Sequence, residues 1–428
     1  MVERNMKILY ISYFSPPLLN VGAHRTRRFA SHLTTFNHKV TVVAEKRRNR
    51  FTQQSKDASS APNSLLINAV KSWNIDWLWK FPTIVHKGLY RLFGRTLPEQ
   101  DNKIAKRYWF IDMQWGWIIP TLWHCYHLIK QDKPDVILVT CPPFSSSVVG
   151  YYLSKFFSIP LVLDFRDGWT HASYFVEYDY QHWENRVLAQ ALALVVTSKA
   201  DLHSYQSKYP KVAVNYIPNS FDWPLDITSN RSSSCRDSKR VFTIGYSGTW
   251  DGFRRSAKQI LTHLSQASFD FRFINIGDDH PEFLSLVDEL KIEDKVRNLG
   301  LLNKDNMLKY LADCDALFIQ KGSPDLDLED THLATKAIDY VASRRMIIAE
   351  LPKGETKQFL LQYGGNVVMV DADNYSQQLE SAYQYWCSNP NKRYEPKGDF
   401  WQHYDPILLS RQLEKVCYDV CSGSSQAT

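Results

Sequence analysis

The chain has 428 residues, more than one hydrophobic core normally serves, so two domains are expected. Its 44% apolar and 22% charged content is that of an ordinary globular protein and excludes a disordered or fibrous one, and no run approaches the ~18 uncharged apolar residues that span a bilayer. The net charge of +6 is concentrated: residues 46–107 hold thirteen Lys/Arg against four Asp/Glu, which leaves the rest of the chain slightly acidic.

The opening residues, MVERNMKILYIS, lack the layout of a signal peptide, because the apolar run is short and leads straight into a strand; a cytoplasmic protein is expected. The seven cysteines (125, 141, 235, 314, 387, 417, 421) are odd in number and form no CxxC pair. Cys417 and Cys421 are four apart but lack partner histidines, so reduced thiols are expected and a zinc site is not.

Lys7–Ser12 reads as a buried strand, 23–36 as a helix carrying Phe29, Ala30 and Leu33, and 38–44 as a second strand. The loop between the first two holds Pro16-Pro17 and a single glycine, Gly22. Without a GxGxxG fingerprint, NAD or FAD binding is not supported. Arg25, Arg27 and Arg28 crowd the helix start, against the helix dipole, and Gly22 allows close backbone approach there. A bound anion and solvated arginines both account for this pattern.

Residues 46–110 interrupt the α/β rhythm. The part from 53 to 64 is polar. From 71 to 95, Trp73, Trp77, Trp79, Phe81, Tyr90 and Phe93 interleave with Lys71, Lys80, Lys87, Arg91 and Arg95. Such a mixture suits an anionic membrane surface. It also suits single-stranded nucleic acid or a helix packed over the domain. No recognised nucleic-acid module accompanies it, so no nucleic-acid partner is expected.

The rhythm returns with a strand at 135–140, a helix at 145–157 and a strand at Leu161–Phe165. Just beyond its carboxyl end stand Arg166 and Asp167, where open α/β sheets place their ligands. A satisfied loop network explains DFRDGW equally well. Strands at 193–197 and 212–217 follow, and 223–240 has the composition of a linker. A second α/β series then begins, with strands at 241–247, 271–276, 295–299, 316–320, 346–349 and 366–370 separated by helices. In it, Gly248 opens a loop running to Arg254 and Arg255. The segment 331–352 has a helix with Leu333, Ala334, Ala337, Ile338 and Val341 on one stripe and Lys336, Asp339, Tyr340 and Ser343 on another. A lysine at a helix start opposes the dipole unless an anion joins it. A surface Lys–Asp pair is the other reading.

The expected organisation is an α/β chain with two Rossmann-like doubly wound domains facing a central cleft. Residues 1–222 form the first and 241–398 the second, with a closing helix in 399–428 that packs back on the first.

In sequence the chain resembles the GT-B glycosyltransferases of the retaining, family-four type, in the bacterial branch that builds surface polysaccharides. The likeness runs through KILYISYFSPP, GW at 116–117, PDVILVTCPPFSSSVVG, LVLDFRDGW, VVTSKADL, YIPNSFD, IGYSGTW and TKAIDYVASRRMIIAELP. It implies transfer of a sugar from a nucleotide diphosphate of the UDP or GDP type to a saccharide or lipid-linked acceptor. The work would be done in the cytoplasm, at the inner face of the membrane where the acceptor is lipid-linked. By the same resemblance, Gly22 approaches the donor phosphates, Arg254 and Lys336 hold the leaving diphosphate as catalytic cations, and Arg255, Gly248, Thr335 and Asp339 complete the donor site. Arg25, Arg166, Asp167 and His171 are assigned to the acceptor or transferred sugar. No metal or cofactor is implied.

Two departures stand out. Relatives carry two glutamates eight positions apart; here those positions hold Thr331 and the shorter Asp339, with Asp327, Glu329 and Asp330 as nearby substitutes. The loop TCPPFSSS also lacks the histidine many relatives place near the donor sugar, for which His171 is the stand-in. A degenerate GT-B binding protein and a GT-B sugar-nucleotide epimerase are the alternatives.

Overall fold

The computed structural model describes residues 5–15, 21–46, 66–73, 91–92, 111–112, 114–170, 181–222, 241–250, 255–322 and 330–423. Contacts divide the chain into two units: Met1–Pro218 with Ile407–Thr428, and Asn219–Pro406. The sequence places that boundary at 222, four residues later.

The first unit is built on a parallel sheet of β1 (Lys7–Ser12), β2 (Lys39–Glu45), β3 (Leu66–Val70), β4 (Val136–Cys141), β5 (Leu161–Phe165), β6 (Ala193–Val196) and β7 (Ala213–Tyr216), in the order β3-β2-β1-β4-β5-β6-β7. All residues of β4 and β5 are buried, as expected of parallel strands covered on both faces. After β1 comes α1 (Val21–Thr35); α2 (Ile118–Gln131), α3 (Ser145–Phe157), α4 (Gln181–Gln190) and α5 (Lys199–Lys208) follow in chain order. Cys125, Ile129, Val148, Leu153, Val187 and Leu188 bring α2, α3 and α4 into one core with the sheet. Strand β3 corrects the reading of 46–110 as wholly outside the α/β rhythm. Five residues, LINAV, pair in parallel with Thr41 to Glu45 at the sheet edge. With polar sequence before it and no alternation of its own, that strand is made visible by its pairing rather than by its pattern.

The second unit repeats the plan with β8 (Phe242–Ser247), β9 (Phe271–Ile276), β10 (Val296–Asn298), β11 (Ala316–Gln320), β12 (Met346–Glu350) and β13 (Val367–Met369), ordered β10-β9-β8-β11-β12-β13 and all parallel. Its helices are α6 (Lys258–Ser265), α7 (Pro281–Glu289), α8 (Lys304–Ala312), α9 (Thr335–Ala342), α10 (Glu355–Tyr363), α11 (Tyr375–Ser388) and α12 (Phe400–His403). Pro281 opens α7 where its missing N–H costs nothing, and the Asn303 side chain accepts from the Asn306 N–H to cap α8. One core joins the sheet to α6, α7 and α11; the other joins it to α8, α9, α10 and α12.

The last helix, α13 (Pro406–Gly423), belongs to the first unit from Ile407 onward. Its Leu409, Leu413, Val416, Cys417 and Val420 share a core with Phe29 and Leu33 of α1 and with the sheet. Polar contacts fix its register: His38 Nε2 meets Glu414 Oε1 at 2.7 Å, and the Arg411 guanidinium lies 3.6 Å from the Phe36 ring centre.

In each sheet the strand order reverses once, between β1 and β4 and between β8 and β11. These are the switch points at whose carboxyl ends open α/β sheets bind ligands.

Candidate functional site

At the second switch point β8 ends in Tyr246 and Ser247, and Gly248 follows with φ of +142°. A side chain there would be strained whatever the space, and its Cβ would lie 2.7 Å from the Lys336 Nζ and 3.1 Å from the Tyr246 hydroxyl. The lysine thus comes from the first turn of α9 to the loop after β8, its ammonium 4.3 Å from the centre of the Tyr246 ring. Two further contacts hold the loop and helix together. The Tyr340 hydroxyl, on the next turn of α9, accepts from the Ser247 N–H at 3.0 Å, and burial pushes its pKa up, keeping it neutral. The Gly248 N–H donates to the Ile276 carbonyl at 2.9 Å, and Gly277 lets the Gly248 carbonyl press against it. A cation, a helix N-terminus and a glycine loop therefore converge at this switch point, a combination suited to an anion. Thr335 lies here as well, its hydroxyl accepting from Asn219 Nδ2 at 3.1 Å. Arg255 is half-buried just past the loop, and Arg254 lies outside the described residues.

Asp339 stands differently from its expected place on a polar stripe. Ala337 through Ala342 are all buried, so both stripes of α9 face protein. Asp339 Oδ1 accepts from the Asp222 N–H at 2.9 Å, and its Oδ2 pairs with Lys304 at the start of α8. Lys304 also lies 3.7 Å from the Asp222 carboxylate. In place of the surface Lys336–Asp339 pair, which is one of the two readings of this helix, a part-buried cluster engages both Asp339 oxygens.

Asp330, a substitute considered for the missing first carboxylate, is also committed. It is buried, pairs with Lys321, and accepts from the His332 and Thr356 N–H groups at 3.2 Å each, so it caps the start of α10. Asp327 and Glu329 lie outside the described residues.

In the first unit, Arg25 is neither solvated nor open to an anion. Its guanidinium, fully buried, is forked onto the fully buried Asp164 with Nη2 2.7 Å from Oδ1 and Nε 3.0 Å from Oδ2. Its remaining N–H groups donate to the Ile217 and Pro218 carbonyls, and Thr140 Oγ1 donates to Asp164. Arg25 is a tie between α1, β4, β5 and the end of β7. Arg28 is buried as well. Arg166 does come to Gly22: a Cβ on that glycine would fall 2.0 Å from the arginine Nη1. Its Nε donates to the Cys141 carbonyl at 3.1 Å, and its Nη2 donates to Pro142 O. Burial lowers the Arg166 pKa, opposed by the charges of Asp167 and Asp164. Gly22 and Arg166 thus form one cationic corner at the first switch point, with the half-buried Asp167 beside it. His171 lies outside the described residues, as do the linker 223–240 and most of the basic aromatic stretch.

Residue types alone did not single out Tyr246, Tyr340, Lys304 or Glu350. Tyr246 sits in a predicted strand, Tyr340 falls on the polar stripe of its helix although it is buried, and Lys304 reads as an ordinary N-terminal helix residue. Among the described residues no three His, Cys, Asp or Glu side chains are grouped to hold a metal, and no helix is long and apolar enough to cross a membrane.

No protein-family model matches the chain, and no curated protein matches it in sequence. Solved structures match it over its whole length. The HepE protein of Anabaena, in complex with UDP and glucose, superposes with a TM-score of 0.64 at 14% identity, covering 97% of this chain and 100% of its own. A glycosyltransferase from Rickettsia africae gives 0.60 at 14% identity, with 98% and 99% covered. The UDP-GlcNAc 2-epimerase of Methanocaldococcus jannaschii gives 0.54 at 10% identity, with 96% and 100% covered. At these identities the likeness is one of fold. The chain has the glycosyltransferase-like GT-B fold, two Rossmann-like domains each built on a parallel sheet with interleaved helices.

Proposed function

We propose that the protein is a glycosyltransferase that moves a sugar from a nucleoside diphosphate to a saccharide or lipid-linked acceptor. The reaction retains configuration and belongs to surface-polysaccharide synthesis at the inner membrane face, with the basic aromatic stretch 71–95 contacting anionic lipid. The observation that carries the reading is the Lys336 ammonium held over Tyr246 beside Gly248, at the switch point of the second sheet. There the lysine and the α9 N-terminus stabilise the charge that develops on the leaving diphosphate, with Arg254 and Arg255 added from the loop. Thr335 and Gly248 line the same anion, and Gly22, Arg166 and Asp167 serve the transferred sugar or acceptor. Asp339 acts from behind, by holding α9 in place. UDP is the favoured nucleotide, since HepE was captured with UDP and with UDP-glucose.

Thermal unfolding with UDP and GDP tests the site. Ligand at a hundred times its Kd stabilises by about 2.7 kcal/mol, which raises the Tm of a domain of this size by roughly 5–10 °C. UDP is expected to do so for the wild-type protein and to lose the effect in Lys336→Ala, whose own Tm stays close to wild type. Undiminished UDP binding by the variant would remove Lys336 from the donor site. Interconversion of UDP-GlcNAc at C2 without any acceptor would move the assignment to the epimerases.

A further inference from the structure

Helices α2 and α3 are apolar on two sides. Their inward residues fill the core of the first unit, yet their outward faces carry large aromatics as well. Trp123 is 69% exposed and Phe156 70%, and Ile119 and Tyr152 are exposed beside them. On α2 the exposed positions Ile119, Trp123, His127 and Lys130 follow helical spacing, so they form one stripe. Tyr126 bridges to α3, its ring 6.0 Å from that of Phe156 and 5.5 Å from that of Phe157. The patch is therefore continuous across both helices rather than a scatter of single residues, and patches of that kind mark interaction surfaces.

Charge identifies the occupant. Neither IIPTLWHCYHLIKQ nor SSSVVGYYLSKFF contains an acid, while Lys130 and Lys155 stand over the Tyr126 and Tyr151 rings at 5.8 and 5.6 Å. The start of the basic stretch, residues 71–73, is held here as well. The backbone N–H of Trp73, whose side chain is 53% exposed, donates to the Gly116 carbonyl at 3.1 Å, in the turn that opens α2. Projecting Trp, Tyr and Phe on two helices that carry lysine and no acid, with Asp132 at the end of α2 already paired with Lys7 and Lys39, match the boundary of an anionic bilayer, where aromatic rings settle at headgroup depth and lysines meet lipid phosphate.

We propose that the outer face of α2 and α3 is the surface by which this protein sits on an anionic membrane. This extends the membrane part of the reading above and rests on it, but assigns the contact to a folded surface separate from the stretch 71–95. The donor site plays no part in it, so the nucleotide experiment and this one fail independently.

The test is flotation of the full-length protein with vesicles of pure phosphatidylcholine and with vesicles containing phosphatidylglycerol. Wild type is expected to float with the anionic vesicles and to stay behind with neutral ones. The double variant Trp123→Ser/Phe156→Ser is expected to lose at least about tenfold in partitioning, because two interfacial anchors are gone. Both side chains are mostly exposed, so its Tm is expected to match wild type. Lys130→Glu/Lys155→Glu should weaken anionic binding and reduce its salt dependence. Unchanged flotation of the serine variant would overturn the proposal. So would a wild-type dimer, absent from the serine variant and unable to float, since the face would then join two copies. If only neutralising Lys80, Lys87, Arg91 and Arg95 abolishes flotation, the contact belongs to 71–95 and not to α2 and α3.

Discussion

Glu350 ends β12 with its carboxyl group buried against Tyr375, whose hydroxyl donates to it at 2.8 Å. Burial pushes its pKa up to about 7; the tyrosine hydrogen bond opposes this only in part. In the unfolded chain the same group titrates in the usual carboxylate range, so between roughly pH 4.5 and 7 the folded protein holds a proton that the unfolded chain gives up. Stability from this group is therefore intact below that window and lost as pH rises through it, by on the order of 3 kcal/mol at pH 8. Glu350→Gln keeps an acceptor for Tyr375 and removes the titration. Its expected signature is a gain in urea-unfolding stability at pH 8 that shrinks to nothing near pH 4. Equal pH profiles would show that the carboxyl is hydrated. In sequence, Glu350 is merely the polar end of MIIAE, and nothing in that pattern separates a solvated strand end from a buried acid.

Helix α9 shows why some of the site was legible and some was not. Its apolar spacing located the helix and its early lysine drew attention to the helix start, and in the structure Lys336 lies beside Gly248. The polar stripe misled, because periodicity distinguishes two faces but not water from a buried network. Arg25 misled in the same way: its partner Asp164 lies 139 residues on, a distance no local pattern spans. The Asp339 cluster yields a test at this scale. Asp339→Ala leaves Lys304 with only the more distant Asp222 carboxylate and takes the acceptor from the Asp222 N–H, so a loss of roughly 1–3 kcal/mol is expected in chemical denaturation. Asp339→Asn retains an oxygen for that N–H and should lose less. If the cluster is structural, UDP affinity in the Asn variant changes far less than in Lys336→Ala, measured by titration calorimetry. A Kd that collapses in the Asn variant while stability holds would return Asp339 to the nucleotide.

Across the whole molecule, the alternation of strand and helix made two doubly wound units legible, since most of the buried strand runs are bounded by turn residues and followed by a helix. The first unit also takes in residues from the far end of the chain, 407–428. Five buried side chains of α13, Leu409, Leu413, Val416, Cys417 and Val420, cover the sheet next to α1. At about 1.5–3 kcal/mol for each large apolar side chain, their burial is comparable with the ~5–15 kcal/mol that stabilises a whole domain. Deleting residues 407–428 should therefore unfold the first unit and leave the second, which draws both of its cores from within 219–406. Limited proteolysis of the truncated protein is expected to degrade the first unit and spare a fragment close to Asn219–Pro406, whereas the intact chain resists throughout. The point variant Leu413→Ala should cost about 2–5 kcal/mol in the first unit's transition alone. A truncated chain that melts as the intact one does would mean that α1 and the sheet suffice, and that α13 rests on the surface without holding it.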